Sequence, residues 1–346
     1  MAAGVRCEVY QRSLPATMIR NLVLCFSPFQ AFVWINLQRQ YSIQNTTFVY
    51  ITTTDSEKDK FYYHKARDAC EAGAYFFLSG NVLRHISSIR AAFRKLKLFD
   101  VQINLYLASF NTFHSLYIFS ALKTSTVNIY DDGAFSLLSR DDQLPYRWNT
   151  AKLHFDKRII YSLLLKYRND QSILDCASVF YTIFPQNLVA FPGLTTLPVN
   201  LTSSSSKCAI DKSSQSGPIN VFIGDATHLY SDDLFIVYQM ILNRLKCDYY
   251  LQHPRDLRSH NIYFPAAVST PLIAQEFIAN LLVLEENVHI YTFSSTVLFS
   301  ISHPRLKKTI VNHPDLSLRS LNSIADYFSI NIIESDTIVS DTQGTV

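Results

Sequence analysis

"NLVLCFSPFQAFVWINLQRQY", residues 21–41, holds the transition on which the fold turns. Asn21 to Phe26 is a continuous apolar run, the pattern of a strand buried on both faces of a parallel sheet. Ser27 and Pro28 end it, and from Phe29 apolar residues recur at helical spacing. A buried strand feeding directly into a helix opens an α/β unit.

Outward from that stretch the alternation continues. "TTFVYITT" (46–53) predicts a second strand and "EKDKFYYHKARDACEAG" (57–73) a helix ending near Gly73. "AYFFLSG" (74–80) reads as a third strand, followed by a basic amphipathic helix over 81–98. "VQINLYLAS" (101–109) and "TVNIYDDG" (126–133) are strands flanking the helix "NTFHSLYIFSALK" (111–123). Residues 154–190 read as mostly helical, with a short extended "SVFYTIF". The sharpest composition break is "SSSSKCAIDKSSQSGP" (203–218), polar and serine-rich, the composition of a linker. Alternation then resumes. "INVFIG", "CDYYLQ", "NVHIYTF" and "KKTIVNH" read as strands, and "SDDLFIVYQMILNRLK", "PLIAQEFIANLLV" and "SSTVLFSIS" as helices.

The expected organisation is a Rossmann-like domain over 18–200, a linker over 201–217, a second Rossmann-like domain over 218–334 and a tail over 335–346. Two such domains with ligand in the cleft between them describe the GT-B glycosyltransferase outline, which periplasmic binding proteins and some two-domain nucleotide enzymes share.

Composition narrows the class. With 346 residues, 48% hydrophobic and only 17% charged, the chain can fill two cores and is not disordered over most of its length. A net charge of +3 names no partner and gives no reason to expect nucleic acid. Basic residues cluster at Arg84, Arg90, Arg94, Lys95 and Lys97, and again at Arg305, Lys307 and Lys308. Such clusters suit anionic lipid headgroups, an anionic substrate, or plain solvated helix faces. Six cysteines without a C-x-x-C pair fit free thiols in a reducing compartment. No stretch has signal-peptide character or transmembrane length, so a cytoplasmic protein is expected.

In open α/β sheets ligands bind beyond the carboxyl ends of the strands, and four polar clusters fall there. Asp131-Asp132-Gly133 follows "TVNIY". Two adjacent carboxylates in a dry site push one pKa upward, which suits a general base, and the same residues suit an ordinary turn. Gly224-Asp225 follows "INVFI", with Asp232 and Asp233 close behind; Ser231-Asp232-Asp233 also fits a helix cap, and a capping Asp233 would leave Asp232 available. His253-Pro254-Arg255 follows "YYLQ". Proline holds the residue before it extended, so His253 is kept at the strand end, where imidazole and guanidinium can meet phosphate. His303-Pro304 follows a helix instead, and His313-Pro314, at the end of the short strand "TIVN", has Asp315 beside it, which disfavours an anion. Thr292-Phe293-Ser294-Ser295-Thr296 joins a strand to a helix and supplies either a phosphate seat or an N-cap. There is no GxGxxG, P-loop or HExxH, and no D-x-D after a buried strand, so no metal site is expected.

Asp131-Asp132-Gly133, His253-Pro254 and Ser294-Ser295, in that order, resemble the motifs of bacterial sialyltransferases of glycosyltransferase family 52, the lipooligosaccharide type. "NLVLCFSPFQ", "AYFFLSG", "NLYLASF", "YTIF", "YYLQHPR" and "HIYTFSS" resemble family segments in the same order, over about 20–330. The resemblance implies a GT-B enzyme that moves sialic acid from CMP-sialic acid to a terminal galactose of lipooligosaccharide, with inversion and without a metal or other cofactor. It implies that His253 acts on the departing CMP phosphate, that Ser294 and Ser295 with Thr292 and Thr296 seat it, and that a carboxylate takes the acceptor proton. Asp225, Asp232 and Asp233 compete for the base position, because the loop after "INVFI" is longer than in the family; Asp232 is favoured by its distance from His253. Asp131 and Asp132 remain rivals. Gly133, Gly224, Pro254 and Arg255 are read as substrate-binding. Partners are then a nucleotide-sugar donor and a glycan acceptor. Peripheral association with the inner face of the bacterial inner membrane and homodimerisation are left open. The alternatives are a different nucleotide-sugar donor, or a non-catalytic module binding glycan or membrane surface.

Overall fold

A computed structural model describes residues 5–12, 19–137, 161–166, 168–185, 191, 193–202, 217–225, 231–253, 256, 268, 270–284, 287–293, 295–314 and 324–335. The chain divides into two compact units, Met1–Leu201 and Thr202–Val346.

The first unit is built on eight strands: β1 (Arg6–Gln11), β2 (Ile19–Cys25), β3 (Thr46–Thr52), β4 (Ala72–Phe77), β5 (Gln102–Leu107), β6 (Thr124–Tyr130), β7 (Ala177–Thr182) and β8 (Thr195–Pro198). Their order in the sheet is β1-β4-β3-β2-β5-β6-β7-β8. All neighbours are parallel except β1, which runs antiparallel along β4. The helices are α1 (Pro28–Gln40), α2 (Glu57–Arg67), α3 (Val82–Lys95), α4 (Phe113–Ala121) and α5 (Asp170–Asp175).

Local chemistry explains the first βα unit. Val23, Leu24 and Cys25 are fully buried, as the apolar run requires. The Ser27 hydroxyl caps α1 by accepting the Gln30 amide at 3.2 Å, and Pro28 opens the helix, where its missing N–H is no loss. Val33 and Leu37 of α1 are then fully buried, each contributing about 1.5–3 kcal/mol. Ile86, Ile89 and Phe93 of α3 join Leu116 and Ile118 of α4 in one core with the central strands.

Several boundaries differ from the sequence reading. The sheet reaches back to Arg6, before the expected start at 18, because β1 seals the free edge of β4. Arg6 pairs with Asp55 at 3.2 Å on that edge, and Tyr75 donates to the same carboxylate at 2.9 Å. The helix expected to run to Gly73 stops at Arg67, and Ala72 and Gly73 open β4. A Cβ on Gly73 would stand 3.0 Å from the Phe48 carbonyl of β3, so the bare glycine lets the strands pair closely.

The second unit holds β9 (Ile219–Ile223), β10 (Tyr249–Leu251), β11 (Val288–Thr292), β12 (Leu306–Asn312) and β13 (Asn331–Glu334), all parallel in the order β10-β9-β11-β12-β13. Its helices are α6 (Asp232–Leu245), α7 (Ala274–Val283) and α8 (Val297–Ser300). α8 is a single turn, shorter than the apolar "TVLFSIS" predicts. The Lys308 ammonium, buried on β12, donates to the Leu298 and Ile301 carbonyls at 3.0 and 3.3 Å and fixes that turn's end. Within 154–190 the described residues hold a helical turn from Tyr161, α5 and β7, the last overlapping the predicted extended stretch "SVFYTIF". Residues 154–160, 167 and 186–190, most of the serine-rich stretch and Cys208 lie outside the described residues; the five described cysteines are free thiols. Among the described residues no helix is long and apolar enough to cross a membrane.

Candidate active site

Each sheet has one place where its winding reverses, and ligands of doubly wound sheets bind beyond the carboxyl ends of the strands at that place. In the first unit it lies between β2 and β5, and in the second between β9 and β11. All four predicted clusters follow strands at or beside these points.

In the first unit the two aspartates after β6 part company. Asp131 is fully buried. Burial pushes its carboxyl up to about 7, and the charge on Asp132 acts in the same direction. The Ser136 and Thr182 side chains and the Ile183 amide oppose that rise; the amide donates to Oδ2 at 2.5 Å. The backbone N–H of Asp131 donates to the Tyr181 carbonyl at 3.0 Å, continuing the β6–β7 ladder. Gly133 takes φ 87°, a left-handed conformation that glycine adopts without strain, and so turns the chain as its residue type predicts. Asp132 is only half-buried. Its Oδ2 accepts from the Ser109 hydroxyl at 2.5 Å, and its Oδ1 from the Gln30 side-chain amide.

In the second unit Gly224 and Asp225 end β9. A Cβ on Gly224 would lie 2.3 Å from the Tyr250 hydroxyl, so glycine is what admits that ring over the strand end. The Tyr250 and Tyr238 hydroxyls are 3.1 Å apart, and the amide of Asp225, itself nearly buried, donates to Tyr238 Oη at 3.4 Å. β10 lies beside β9 in parallel register, Leu251 opposite Ile223, so His253 leaves the same sheet edge as Asp225. His253 is half-buried, and its carbonyl accepts the Asp256 amide at 2.9 Å in a turn. Pro254 and Arg255 lie outside the described residues. His303 stands at the opposite edge, before β12, with Nδ1 accepting the Arg305 amide at 3.2 Å. His313 leaves the carboxyl end of β12, one strand beyond β11.

Ser231 is the helix cap of α6, its hydroxyl accepting the Leu234 amide at 3.3 Å. Asp232 and Asp233 therefore both occupy the first turn, exposed, where carboxylates suit the helix dipole. At the end of β11, the Thr292 hydroxyl is buried and accepts the Ser295 amide at 3.3 Å, and the Ser295 hydroxyl accepts the Val297 amide at 3.3 Å. Thr296 precedes α8 without a side-chain capping bond. Ser294 lies outside the described residues. Among the described residues no group of three or more His, Cys, Asp or Glu is placed to hold a metal ion.

The profile of glycosyltransferase family 52 matches residues 44–315, a span that holds most strands of both sheets and all four predicted clusters. The chain belongs to glycosyltransferase family 52. This family 52 chain is 21% identical over 287 residues to a Pasteurella multocida (strain Pm70) protein described as a CMP-N-acetylneuraminate:beta-galactoside alpha-2,3-sialyltransferase; the match covers 81% of this chain and 87% of that one. Among solved structures it resembles a Photobacterium sp. JT-ISH-224 2,6-sialyltransferase crystallised with CMP and lactose, with TM-score 0.52, 12% identity, and 91% and 78% of the two chains covered. It resembles equally the glycosyltransferase UGT2 of Phytolacca americana, with TM-score 0.52, 12% identity, and 92% and 88% covered. The fold is GT-B.

The sequence pointed to the strand ends but not to the residues that hold them. Gln30, Ser109, Tyr238 and Tyr250 come from distant segments, and only sheet order brings them beside the predicted groups.

Proposed function

We propose that this family 52 enzyme transfers sialic acid from CMP-sialic acid to a terminal galactose of lipooligosaccharide or a related glycan, with inversion and without a metal. The observation that carries the reading is the shared edge of the second sheet: the His-Pro histidine, Asp225 and the serine turn follow β10, β9 and β11, three consecutive strands across the switch point. CMP departs with its negative charge on phosphate, so donors seated before the reaction lower the barrier where that charge develops. In this reading His253 supplies a proton or hydrogen bond to the leaving phosphate. The turn Thr292–Thr296 supplies hydroxyls and amides around it. Asp232 takes the proton of the acceptor hydroxyl. Its helix follows β9 and His253 follows β10, so one sheet carries both groups.

The test is a donor screen on the purified protein with a β-galactoside acceptor. CMP-sialic acid is expected to give a sialylated galactoside, undiminished by EDTA, whose newly formed linkage is inverted by NMR. His253→Ala lowers turnover by about 10²–10⁴-fold, the scale of a lost acid–base group. His303→Ala, at the opposite sheet edge, stays near wild type. Turnover with a UDP-sugar instead, or equal loss in the two histidine variants, overturns the reading.

The same proposal places the enzyme at the inner face of the bacterial inner membrane, bound through α3. From Ala72 to Phe99 the chain has no Asp or Glu, and Arg84, Arg90, Arg94, Lys95 and Lys97 are all exposed.

A further inference from the structure

The winding reversal between β2 and β5 gathers three side chains from segments far apart in sequence. Gln30 is almost fully buried in the first turn of α1, after β2. Its Oε1 accepts the Phe26 amide at 2.6 Å. A backbone N–H only donates, so it fixes which way the Gln30 amide faces and turns Nε2 outward. That Nε2 donates to Ser109 Oγ at 2.8 Å and to Asp132 Oδ1. Ser109, after β5 and also buried, donates in turn to Asp132 Oδ2. Its own backbone is held by the Ser115 hydroxyl, which donates to the Ser109 carbonyl at 2.5 Å.

Each oxygen of Asp132 thus receives a donor from a different segment, and each donor is itself held. A carboxylate offers about four acceptor positions, and these two donors set its orientation. Among the described residues, Asp131 beside it, Cys25 on β2 and Tyr130 on β6 feel its charge.

We propose that Gln30 and Ser109 are positioning residues that aim the Asp132 carboxylate to accept a hydroxyl of the sugar acceptor at the switch point of the first sheet. The inference rests on the glycosyl-transfer reading above. Gln30→Leu removes one donor without changing charge. Gln30→Glu keeps the shape and sets a second carboxylate against Asp132. Ser109→Ala removes the other donor.

The experiment measures, on the full chain, transfer to a β-galactoside, hydrolysis of CMP-sialic acid without acceptor, and KM for each substrate. Gln30→Leu and Ser109→Ala are expected to lower kcat/KM for the acceptor by about 10²-fold, the scale of a misplaced group. Donor KM stays within a factor of about two, well inside that loss, so transfer falls relative to hydrolysis. Gln30→Glu loses more at pH 8 and recovers toward pH 6, where the two carboxylates share a proton. A purely structural defect would give no such recovery. Unchanged acceptor kinetics in both neutral variants, or equal loss of hydrolysis and transfer, overturns the proposal. Should the wild type use another nucleotide sugar, the donor reading fails on its own and the same acceptor comparison is made with that sugar.

Discussion

Asp131 and Asp132 are neighbours in sequence and occupy opposite surroundings. The first is sealed in the sheet edge, with its carboxyl raised to about 7, while the second stands half-exposed between two donors. The raised value makes Asp131 a pH-dependent liability. Between its ordinary 3.8 and about 7 the folded state keeps a proton that the unfolded chain has lost. Its contribution therefore declines as pH rises through that window and is flat above it. Asp131→Asn removes the decline. Thermal melts should show the variant gaining on wild type from pH 4.5 to 7.5, with a constant gap beyond; a gap independent of pH across that window would contradict the burial argument. The sequence supplied the pair and the expectation that one member would be raised. Which member it is depends on burial beside β7, a later strand whose Tyr181 carbonyl holds the Asp131 amide, and no local pattern in residues 126–133 contains that information.

At the scale of elements, the strand–helix alternation was legible because apolar periodicity is local. Buried parallel strands read as apolar runs, and α1 announces itself with a serine cap and a proline. What escaped detection was β1, β8 and β13, whose half-polar, edge-strand sequences resemble loops. The true length of α8 also escaped, because a buried lysine on β12 ends it. The tyrosine over β9 belongs with these long-range effects. The Tyr250 ring is buried and stacks on Phe222 with ring centres 6.2 Å apart, so it has no room to retreat from a methyl group at Gly224. Gly224→Ala should cost about 1–3 kcal/mol, the range for an overpacked core, measured by denaturant unfolding. It should also weaken CMP binding, because Asp225 and His253 leave the strands that would be pushed apart. Full stability in the variant would show that Tyr250 repacks freely.

Across the whole molecule, the described residues form two sheets of different strand order, each with its own core, and the division between the units falls where the serine-rich composition begins. Charge is distributed unevenly over it, and the exposed row on α3 leads to a prediction at this scale. In sedimentation with vesicles, binding should rise with anionic lipid content and fall with salt, each basic residue near the surface contributing about 1 kcal/mol. Arg94→Glu with Lys95→Glu should release the protein while leaving transfer to a soluble galactoside intact; unchanged binding would remove α3 from the membrane surface. One helix has a further consequence. At its start α1 holds Asp132 through Gln30. At its end Gln40 and Tyr41 both donate to the Pro198 carbonyl, at 2.9 and 2.7 Å, and Gln40 accepts the Asn200 amide at 2.9 Å. The segment after β8 is thereby held to α1 as far as residue 200. A rod about 20 Å long, at 1.5 Å per residue over 13 residues, runs from that attachment to the carboxylate. A displacement of the segment at residue 200 would therefore reach Gln30, and with it the Asp132 carboxylate, along the axis of one helix.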